Sequence, residues 1–272
     1  MTALPADPFA GWEASHAAAA VVNGTEVVDA AGEVDHVLRI ASVAKLLTTH
    51  AVLVAVEEGS LDLDEPAGPP GATVRHLLAH AAGYGFDRED PIARPERRRI
   101  YSNTGFEVLA EHLVRRTGIV FGDYLREAVL EPLGMGATEL RGSPAHGVWS
   151  TVSDLTRFAT ELLAPRLLAP ETLAAATSVQ FPGLAGVVPG IGRQDPCDWG
   201  LGFELKDAKR PHWTGSANSP ATYGHFGGAG TFFWVDPAPG VALVCLTDRA
   251  FGPWALDAWP VLSDAVLAGA RH

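Results

Sequence analysis

The sequence predicts an α+β fold in which a single antiparallel β-sheet is built from both ends of the chain. Strand-like runs occupy residues 18–28 and return after residue 200, whereas helical patterns dominate the stretch between them. We therefore expect residues 1–60 and 171–272 to form a sheet domain flanked by helices. Residues 61–170 are expected to form an inserted, mostly helical lobe, with the active site between the two parts.

Periodicity and turn residues predict the individual elements. Two short runs, 18–22 and 25–28, flank Asn23-Gly24, a dipeptide typical of hairpin turns. Apolar residues recur at helical spacing over 43–58, and Gly59 is suited to end that helix. Further helices are predicted at residues 74–81, 105–117, 153–163 and 255–270, and further strands at 200–205, 222–226, 231–235 and 241–247.

Three details of these elements can also be predicted. Asn103 or Thr104 is expected to cap the helix at 105–117. Pro260 is expected to break or kink the last helix because proline has no backbone N–H. The segment 181–196 is rich in Gly and Pro and is predicted to be a loop.

Composition and charge narrow the function classes. The 272 residues are 47% hydrophobic, yet the chain has no apolar run long enough to span a bilayer. The net charge of −12 argues against nucleic acid or an anionic membrane as the main partner. Residues 1–8 lack the features of a secretory signal, so we expect a cytoplasmic protein. In that compartment Cys197 and Cys245 are expected to be free thiols, Cys245 within a buried strand.

Ser42-Val43-Ala44-Lys45 is the most informative stretch of the chain and lies where a loop enters the helix predicted at 43–58. Positions i and i+3 share one helix face, so the amine of Lys45 can lie beside the hydroxyl of Ser42. A serine hydroxyl needs a neighbouring base to accept its proton before it can act as a nucleophile. The S-x-x-K pair therefore indicates a nucleophile with its base. The alternative is a helix-capping Ser42 with a solvated Lys45.

A second motif, Y-x-N, follows at Tyr101-Ser102-Asn103. In an extended loop alternate residues point the same way, so the phenol and the carboxamide are expected to face one cleft. The alternative for Tyr101 is a half-buried core side chain. The position of this motif after S-x-x-K favours a shared active site.

A third motif, His225-Phe226-Gly227-Gly228, opens an apolar run typical of a strand. We expect His225, Gly227 and Gly228 to bind substrate where this strand borders the cleft. Three motifs in this order, the first at a helix start and the last on a strand, form a consistent constellation.

Segments along most of the chain resemble the serine β-lactamase-like superfamily, on its class C and esterase side. The three motifs stand in the order that this family has, with H-x-G in place of the better-known K-T-G. Further segments that carry the resemblance are 61–64 with Pro66, 73–80 (T-V-R-H-L-L-A-H), 132–135 (P-L-G-M), 199–203 (W-G-L-G-F) and 224–237 (G-H-F-G with a later D-P). The resemblance implies the α+β arrangement described above.

The resemblance also implies roles for the motif residues. Ser42 would attack a carbonyl carbon and form an acyl-enzyme, while Lys45 and Tyr101 would share the acid–base work as a coupled pair. Asn103 would donate to a substrate carbonyl or orient Lys45. The N–H groups of Ser42 and Gly228 would form an oxyanion hole. This chemistry requires neither a cofactor nor a metal ion.

The function that follows is a serine hydrolase that acts on small-molecule esters or amides, with carboxylesterase-like activity. The alternatives are an acyltransferase that uses the same acyl-enzyme, a β-lactamase or D-peptidase, and a ligand-binding module without catalysis. His225 stands where many β-lactamases carry a lysine that holds a substrate carboxylate, and this departure weakens the antibiotic-hydrolase alternative. The intact motif residues argue against the binding module.

Two other groups of residues have competing interpretations. His76 and His80 are four residues apart on a predicted helix, but no acidic third ligand is evident, so packing is favoured over metal binding. Arg97-Arg98-Arg99 precedes the Y-x-N motif and is interpreted as a solvated loop. The sharper hypothesis is that one of these arginines reaches the cleft and pairs with a substrate carboxylate.

Overall fold

The computed structural model describes residues 3–270. Fourteen β-strands are present in this part of the chain: β1 Ala17–Asn23, β2 Glu26–Gly32, β3 Leu38–Arg39, β4 Tyr84–Gly85, β5 Arg88–Pro91, β6 Arg99–Ile100, β7 Glu139–Leu140, β8 Val148–Ser150, β9 Gly186–Val188, β10 Gly192–Gln194, β11 Glu204–Leu205, β12 Tyr223–Gly227, β13 Thr231–Asp236 and β14 Val241–Thr247. The α-helices are α1 Ala44–Glu57, α2 Val74–Leu78, α3 Asn103–Thr117, α4 Phe121–Leu125, α5 Val152–Leu163, α6 Pro170–Ala176 and α7 Pro253–Ala270. A 3-10 turn at Ala41–Val43 precedes α1, and a π-helical turn at Arg126–Leu130 follows α4.

The main sheet has six strands in the order β11-β12-β13-β14-β1-β2, and every neighbouring pair is antiparallel. Strand β1 pairs with β14 in a register that places Ala17 opposite Thr247. The sheet is therefore assembled from both ends of the chain, with helices α1 to α6 supplied by the segment between. The predicted α+β fold is confirmed.

Both faces of the sheet are buried, which explains the nearly continuous apolar sequence of its central strands. On β14, Val244 and Leu246 pack into the core that contains α1 and α5. Leu243 and Cys245 face the other way and pack with Trp259 of α7 in a second core. This alternation follows from the two-residue period of a strand.

Helix α1 crosses the interior of the molecule. Of its 14 residues, 11 are buried, so it packs on nearly all sides rather than along one stripe. It contacts α3, α4 and the π-helical turn. Because the S-x-x-K motif opens this helix, the motif is fixed between the sheet and the helical segment. None of the helices in residues 3–270 is both long and apolar enough to cross a bilayer.

Several sequence-based boundaries were wrong for identifiable reasons. Residues 200–203 are not a strand; Gly202 has a φ of 72° and packs so closely on Thr49 that a Cβ there would lie 1.7 Å from Thr49 Oγ1. The predicted loop at 181–196 contains β9 and β10. Neither Asn103 nor Thr104 caps α3, since Ser102 Oγ accepts the hydrogen bond from the Gly105 N–H at 2.9 Å.

Helix α7 runs through Pro260 as one element, so of the two expected effects the proline does not break the helix. Its apolar residues Trp259, Leu262 and Val266 are buried against the sheet. That burial outweighs the hydrogen bond that proline cannot make.

Candidate active site

Ser42 lies in a tight turn that joins the sheet to α1. Ala41, immediately before it, has a φ of 47°, in the left-handed region that alanine rarely adopts. The neighbouring Ile40 is held from two sides: its N–H donates to the Val148 carbonyl at 3.0 Å and its carbonyl accepts from Thr231 Oγ1 at 2.8 Å. These contacts fix an otherwise unfavourable turn, as is common where a reactive side chain is presented.

The Ser42 hydroxyl does not cap the helix. The N-cap of α1 is Val43, and no side chain makes a capping hydrogen bond there. Ser42 is partly exposed at the wall of a cleft, while its neighbours in the turn are buried. The hydroxyl is therefore presented to the cleft rather than to the helix backbone.

Gly227 allows strand β12 to approach this turn. A Cβ at Gly227 would lie 2.5 Å from the Ile40 carbonyl oxygen, 2.5 Å from Thr231 Oγ1 and 3.0 Å from Ala41 Cβ. The glycine therefore acts as a spacer behind the serine turn and does not itself line the cleft. A side chain at this position would displace the backbone that positions Ser42.

We expect Gly227→Ala to lower the free energy of unfolding by about 1–3 kcal/mol, because the added methyl overpacks the turn. Chemical denaturation of the variant would measure this change. Gly228→Ala is the matched control, since a Cβ there meets no atom within 4 Å. Equal stability losses for the two variants would contradict the spacer role.

Lys45 is fully buried, and its amine is held by two acceptors. Nζ donates to Asn103 Oδ1 at 2.6 Å and to the Ala145 carbonyl at 2.9 Å. It also lies 4.7 Å from the centroid of the Tyr101 ring. Burial lowers the pKa of Lys45 from 10.5 to about 7, although the nearby carboxylates of Asp87 and Glu107 act in the opposite direction. An amine with such a pKa can accept a proton near neutral pH.

Tyr101 is buried beside Ser42 and Lys45. Burial raises the pKa of the Tyr101 phenol. The nearby Ser42 side chain lowers this pKa by a smaller amount, so the pKa stays above its ordinary value. The Tyr101 hydroxyl nevertheless makes no hydrogen bond of good geometry to a described residue. An unpartnered buried hydroxyl facing a serine is suited to donate or accept a proton during a reaction. The core-packing alternative does not account for that unpartnered hydroxyl.

Asn103 is the first residue of α3 and connects Lys45 to an acidic group. Its Oδ1 accepts from Lys45, and its Nδ2 donates to Asp87 Oδ1 at 2.8 Å. Both ends of the carboxamide are therefore engaged by the protein. Of the two roles considered for Asn103, the geometry favours orienting Lys45.

His225 is buried and neutral. Its Nδ1 is 2.6 Å from the Phe226 carbonyl, which assigns the ring proton to Nδ1 and leaves Nε2 as an acceptor with no partner among the described residues. Burial, and then the charge of Lys45, lower the pKa of His225 to about 3. His225 therefore cannot supply the positive charge that a lysine would bring to this place.

These residues surround one cleft of about 190 Å³, which we call the serine cleft. Its walls are formed by Ser42, Phe86, Tyr101, Val188, Pro189, Gly190, Trp199, Glu204, His225, Phe226, Gly228 and Phe251. Of the seven site residues expected from sequence, four line the cleft directly. Lys45 and Asn103 lie behind the wall, joined by their hydrogen bond, and Gly227 supports the serine turn.

The comparison with protein-family models decides the family. The model described as Beta-lactamase matches residues 8–266, nearly the whole chain. The chain belongs to the Beta-lactamase family.

Solved structures agree with this membership of the Beta-lactamase family. The chain is 54% identical to a β-lactamase from Mycobacterium bovis, with a TM-score of 0.96 and coverage of 98% of this chain and 99% of that one. EstCE1, described as a hydrolase with promiscuous acyltransferase activity, has the same fold at 18% identity, with a TM-score of 0.76 and 93% of each chain covered.

A curated relative matches over a shorter stretch. It is the D-alanyl-D-alanine-carboxypeptidase/endopeptidase AmpH of Escherichia coli strain K12, 26% identical over 151 residues. That match covers 41% of this chain and 39% of the relative.

Some residues around the site of this Beta-lactamase family member were not found by sequence reasoning. Ala145 contributes only a backbone carbonyl, which leaves no trace in the sequence. Asp87 stands in a charged segment where one more acid is unremarkable, and Glu204 was noticed only as part of a strand. His80 also packs at the site: its ring centroid is 4.6 Å from that of Tyr101 and 4.8 Å from that of Trp199. Only its position in the T-V-R-H-L-L-A-H segment pointed to His80 in the sequence.

Histidines that suggest metal ligation lie elsewhere or are otherwise engaged. The Thr73 N–H donates to His76 Nδ1 at 3.2 Å. The other ring nitrogen of His76, Nε2, is 3.0 Å from Glu96 Oε1. His80 Nδ1 accepts from the Ser102 N–H at 3.2 Å. The predicted packing role of both histidines agrees with these contacts. A separate surface group, His16, Glu33 and His36, has ligand atoms within 4.8 Å of one another.

Proposed function

We propose that this protein is a serine hydrolase that forms an acyl-enzyme on Ser42 and hydrolyses small-molecule esters or amides. The observation that carries the proposal is the buried Lys45, whose pKa is lowered to about 7 by burial and which follows Ser42 by three residues at the start of α1. Burial that disfavours the charged form of a lysine costs stability, so a purely structural role does not explain this placement, whereas a role as a base does. The membership of the Beta-lactamase family and the likeness to EstCE1 support this proposal.

The proposed reaction has two half-reactions. Ser42 Oγ bonds to the carbonyl carbon while its proton passes to the Lys45–Tyr101 pair, and the carbonyl oxygen becomes an oxyanion. The bond to the leaving group then breaks, and the same proton passes to the departing alkoxide or amine. In the second half-reaction water attacks the acyl carbon and gives up a proton to the pair. The bond between that carbon and Ser42 Oγ then breaks, the proton passes from the pair to Oγ, and a carboxylic acid leaves.

Two backbone N–H groups are expected to stabilise the oxyanion. Ser42 lies within the 3-10 turn that leads into α1, where the helix dipole favours negative charge. Gly228 immediately follows β12 and also lines the serine cleft. One such donor contributes roughly 3 kcal/mol to transition-state stabilisation in comparable sites.

Acyl transfer is the second candidate function. The acyl-enzyme would then be captured by an alcohol or amine in place of water, and EstCE1 combines the two activities in this fold. β-lactam or D-peptide hydrolysis is less favoured, although the Mycobacterium bovis relative is described as a β-lactamase. The neutral His225 offers no cation at the position where many β-lactamases carry a lysine for the substrate carboxylate.

Intact-protein mass spectrometry tests the proposal. The protein is mixed briefly with a p-nitrophenyl ester, a penicillin or a fluorophosphonate, and any adduct is located by peptide mapping while released nitrophenol is followed. An adduct on Ser42 with ester turnover supports the hydrolase, and faster turnover with added alcohol supports acyl transfer. A ligand-dependent rise in melting temperature without any adduct would favour a binding module instead.

We expect kcat/KM for a neutral ester to rise with pH, with a midpoint near pH 7. The base must be unprotonated to accept the serine proton, and burial lowers the pKa of Lys45 to about 7. His225 does not contribute in this range, because its pKa is lowered to about 3. A profile measured from pH 5 to 9 checks this. A flat profile between pH 6 and 8 would contradict the assignment of Lys45 as part of the base.

A further inference from the structure

A wider groove continues from the serine cleft. It encloses about 920 Å³ and shares three wall residues with the cleft, Phe86, Tyr101 and Pro189. We call it the arginine groove, because Arg97, Arg98 and Arg193 contribute to its walls. The groove and the serine cleft are therefore adjacent.

The floor of the arginine groove is a small sheet formed by β6, β9 and β10. Ile100 and Arg193 both stand opposite Val187 in this sheet, so the three side chains share one face. On this face two apolar side chains, Val187 and Ile100, thus lie in one row with the cationic Arg193. Exposed Phe86 and Ile92 add apolar surface on its walls.

The positive charge of the groove is largely uncompensated. Among residues 3–270, no carboxylate side chain lines it. Arg97 and Arg98 are exposed and take part in none of the ion pairs found within that range. Arg193 pairs with Asp195 at 3.0 Å, but both side chains are largely exposed, and such pairs bind weakly.

A fourth guanidinium lies beneath the floor. Arg99 is buried and donates to four backbone carbonyls, those of Ala79, Gln180, Phe181 and Cys197. None of its donors reaches a carboxylate in the described part of the chain. Arg99 therefore adds a fixed positive charge under the groove, in a protein whose net charge is −12.

We propose that the arginine groove binds a carboxylate carried by the substrate, joined through an apolar linker to the ester or amide carbonyl that Ser42 attacks. This inference rests on the proposed hydrolase function and names its substrate class. Guanidinium groups match the geometry of carboxylates, and the apolar surface between the arginines suits a short hydrocarbon linker. The rest of the protein carries excess negative charge and repels anions. A preference for an anionic substrate would therefore have to come from the arginine groove.

Two matched pairs of esters test the proposal, one for each side of the scissile bond. The first is mono-p-nitrophenyl adipate against p-nitrophenyl hexanoate, and the second is 4-acetoxybenzoate against its methyl ester. In at least one pair we expect kcat/KM to be about tenfold higher for the carboxylate, as one or two charge-assisted hydrogen bonds allow. This preference should fall as salt is raised from 20 to 500 mM.

Variants assign the preference to the groove. In the triple variant Arg97→Ala, Arg98→Ala, Arg193→Ala, we expect the ratio of the two kcat/KM values to fall about tenfold. The ratio cancels any general loss of activity. Arg166→Ala is the matched control, because Arg166 is an exposed arginine far from the groove. The adjacent Pro165 lines a pocket together with Pro237. Pro237 follows β13 at the end of the main sheet opposite to Gly228. For Arg166→Ala the ratio should stay at the wild-type value.

The possible outcomes separate the groove from the catalytic proposal. Turnover of the esters with no preference in either pair, or a preference that the triple variant retains, would overturn the carboxylate site and leave the hydrolase standing. If no ester is turned over, the proposed hydrolase function is wrong. The groove is then tested by calorimetry, which compares how tightly the Ser42→Ala variant binds monomethyl adipate and methyl hexanoate. Selective binding that depends on the three arginines would support the groove, and equal binding would overturn it.

Discussion

Ser42→Ala is expected to abolish covalent labelling by a fluorophosphonate and to lower ester turnover by about 10⁴-fold or more, since a catalytic unit loses nearly all its effect with its nucleophile. The fold should be unaffected, because the Ser42 hydroxyl makes no helix-capping bond and faces the serine cleft. Intact-protein mass and nitrophenol release measure the loss, and thermal denaturation measures the fold.

The matched control for this variant is Ser178→Ala. Ser178 is exposed and its hydroxyl donates to the nearby Ala175 carbonyl at 2.7 Å. It should label and turn over as the wild type does. Residual labelling of Ser42→Ala at the wild-type rate would remove Ser42 as the nucleophile and with it the proposed mechanism.

Lys45→Met is expected to lower turnover by roughly 10²- to 10⁴-fold, the usual contribution of a positioned base. Methionine approximates the length of lysine but cannot accept a proton. It also leaves Asn103 Oδ1 and the Ala145 carbonyl without their shared donor. Steady-state kinetics with a neutral ester measure the loss, and retained activity would place the base elsewhere.

The same variant is expected to change how stability depends on pH. The pKa of Lys45 is about 7 in the folded protein, whereas its ordinary value is 10.5. Between these values the unfolded chain binds the proton more tightly, so raising the pH stabilises the wild type by about 1.4 kcal/mol per pH unit through this group. Below pH 7 the contribution is constant, and the full cost of burying the charged amine is present.

Lys45→Met lacks this term. Its free energy of unfolding relative to the wild type should therefore be highest at or below pH 7 and should decline toward pH 10. Urea denaturation at several pH values measures the difference. Ser42→Ala, which is inactive but keeps Lys45, should follow the wild-type curve. A parallel curve for Lys45→Met would show that the Lys45 pKa is not lowered in the folded protein.

The sequence predicted the pair of Ser42 and Lys45 because their spacing is a local feature of the chain. Ser42 lies in the 3-10 turn and Lys45, three positions later, lies in the first turn of α1, so their spacing alone keeps the two residues close. The Y-x-N and H-x-G motifs could be assigned to the same cleft only through the family resemblance, since Tyr101 and His225 come from distant parts of the chain. Their roles stay predictions until the variants are measured.

What the sequence could not supply is the environment of Lys45. Its lowered pKa arises from burial, and one of the acceptors that hold the amine is the backbone carbonyl of Ala145, which no side-chain pattern records. The same limitation applies to the fold: the misassigned strand at 200–203 depends on the contact of Gly202 with Thr49, about 150 residues earlier in the chain. Strongly apolar elements such as β14 were predicted correctly because both of their faces are buried.

The pairing of β1 with β14 has a consequence for how the protein is made. Ala17 cannot meet its partner Thr247 until the ribosome has added the last strand of the sheet. The residues of helices α1 to α6 are all synthesised before that moment. The first strand can pair with β2 early, but its other edge must wait for β14. Closure of the sheet therefore has to follow the synthesis of β14, and chaperones that shield exposed apolar segments would act on β1 and its hairpin partner β2 before that point.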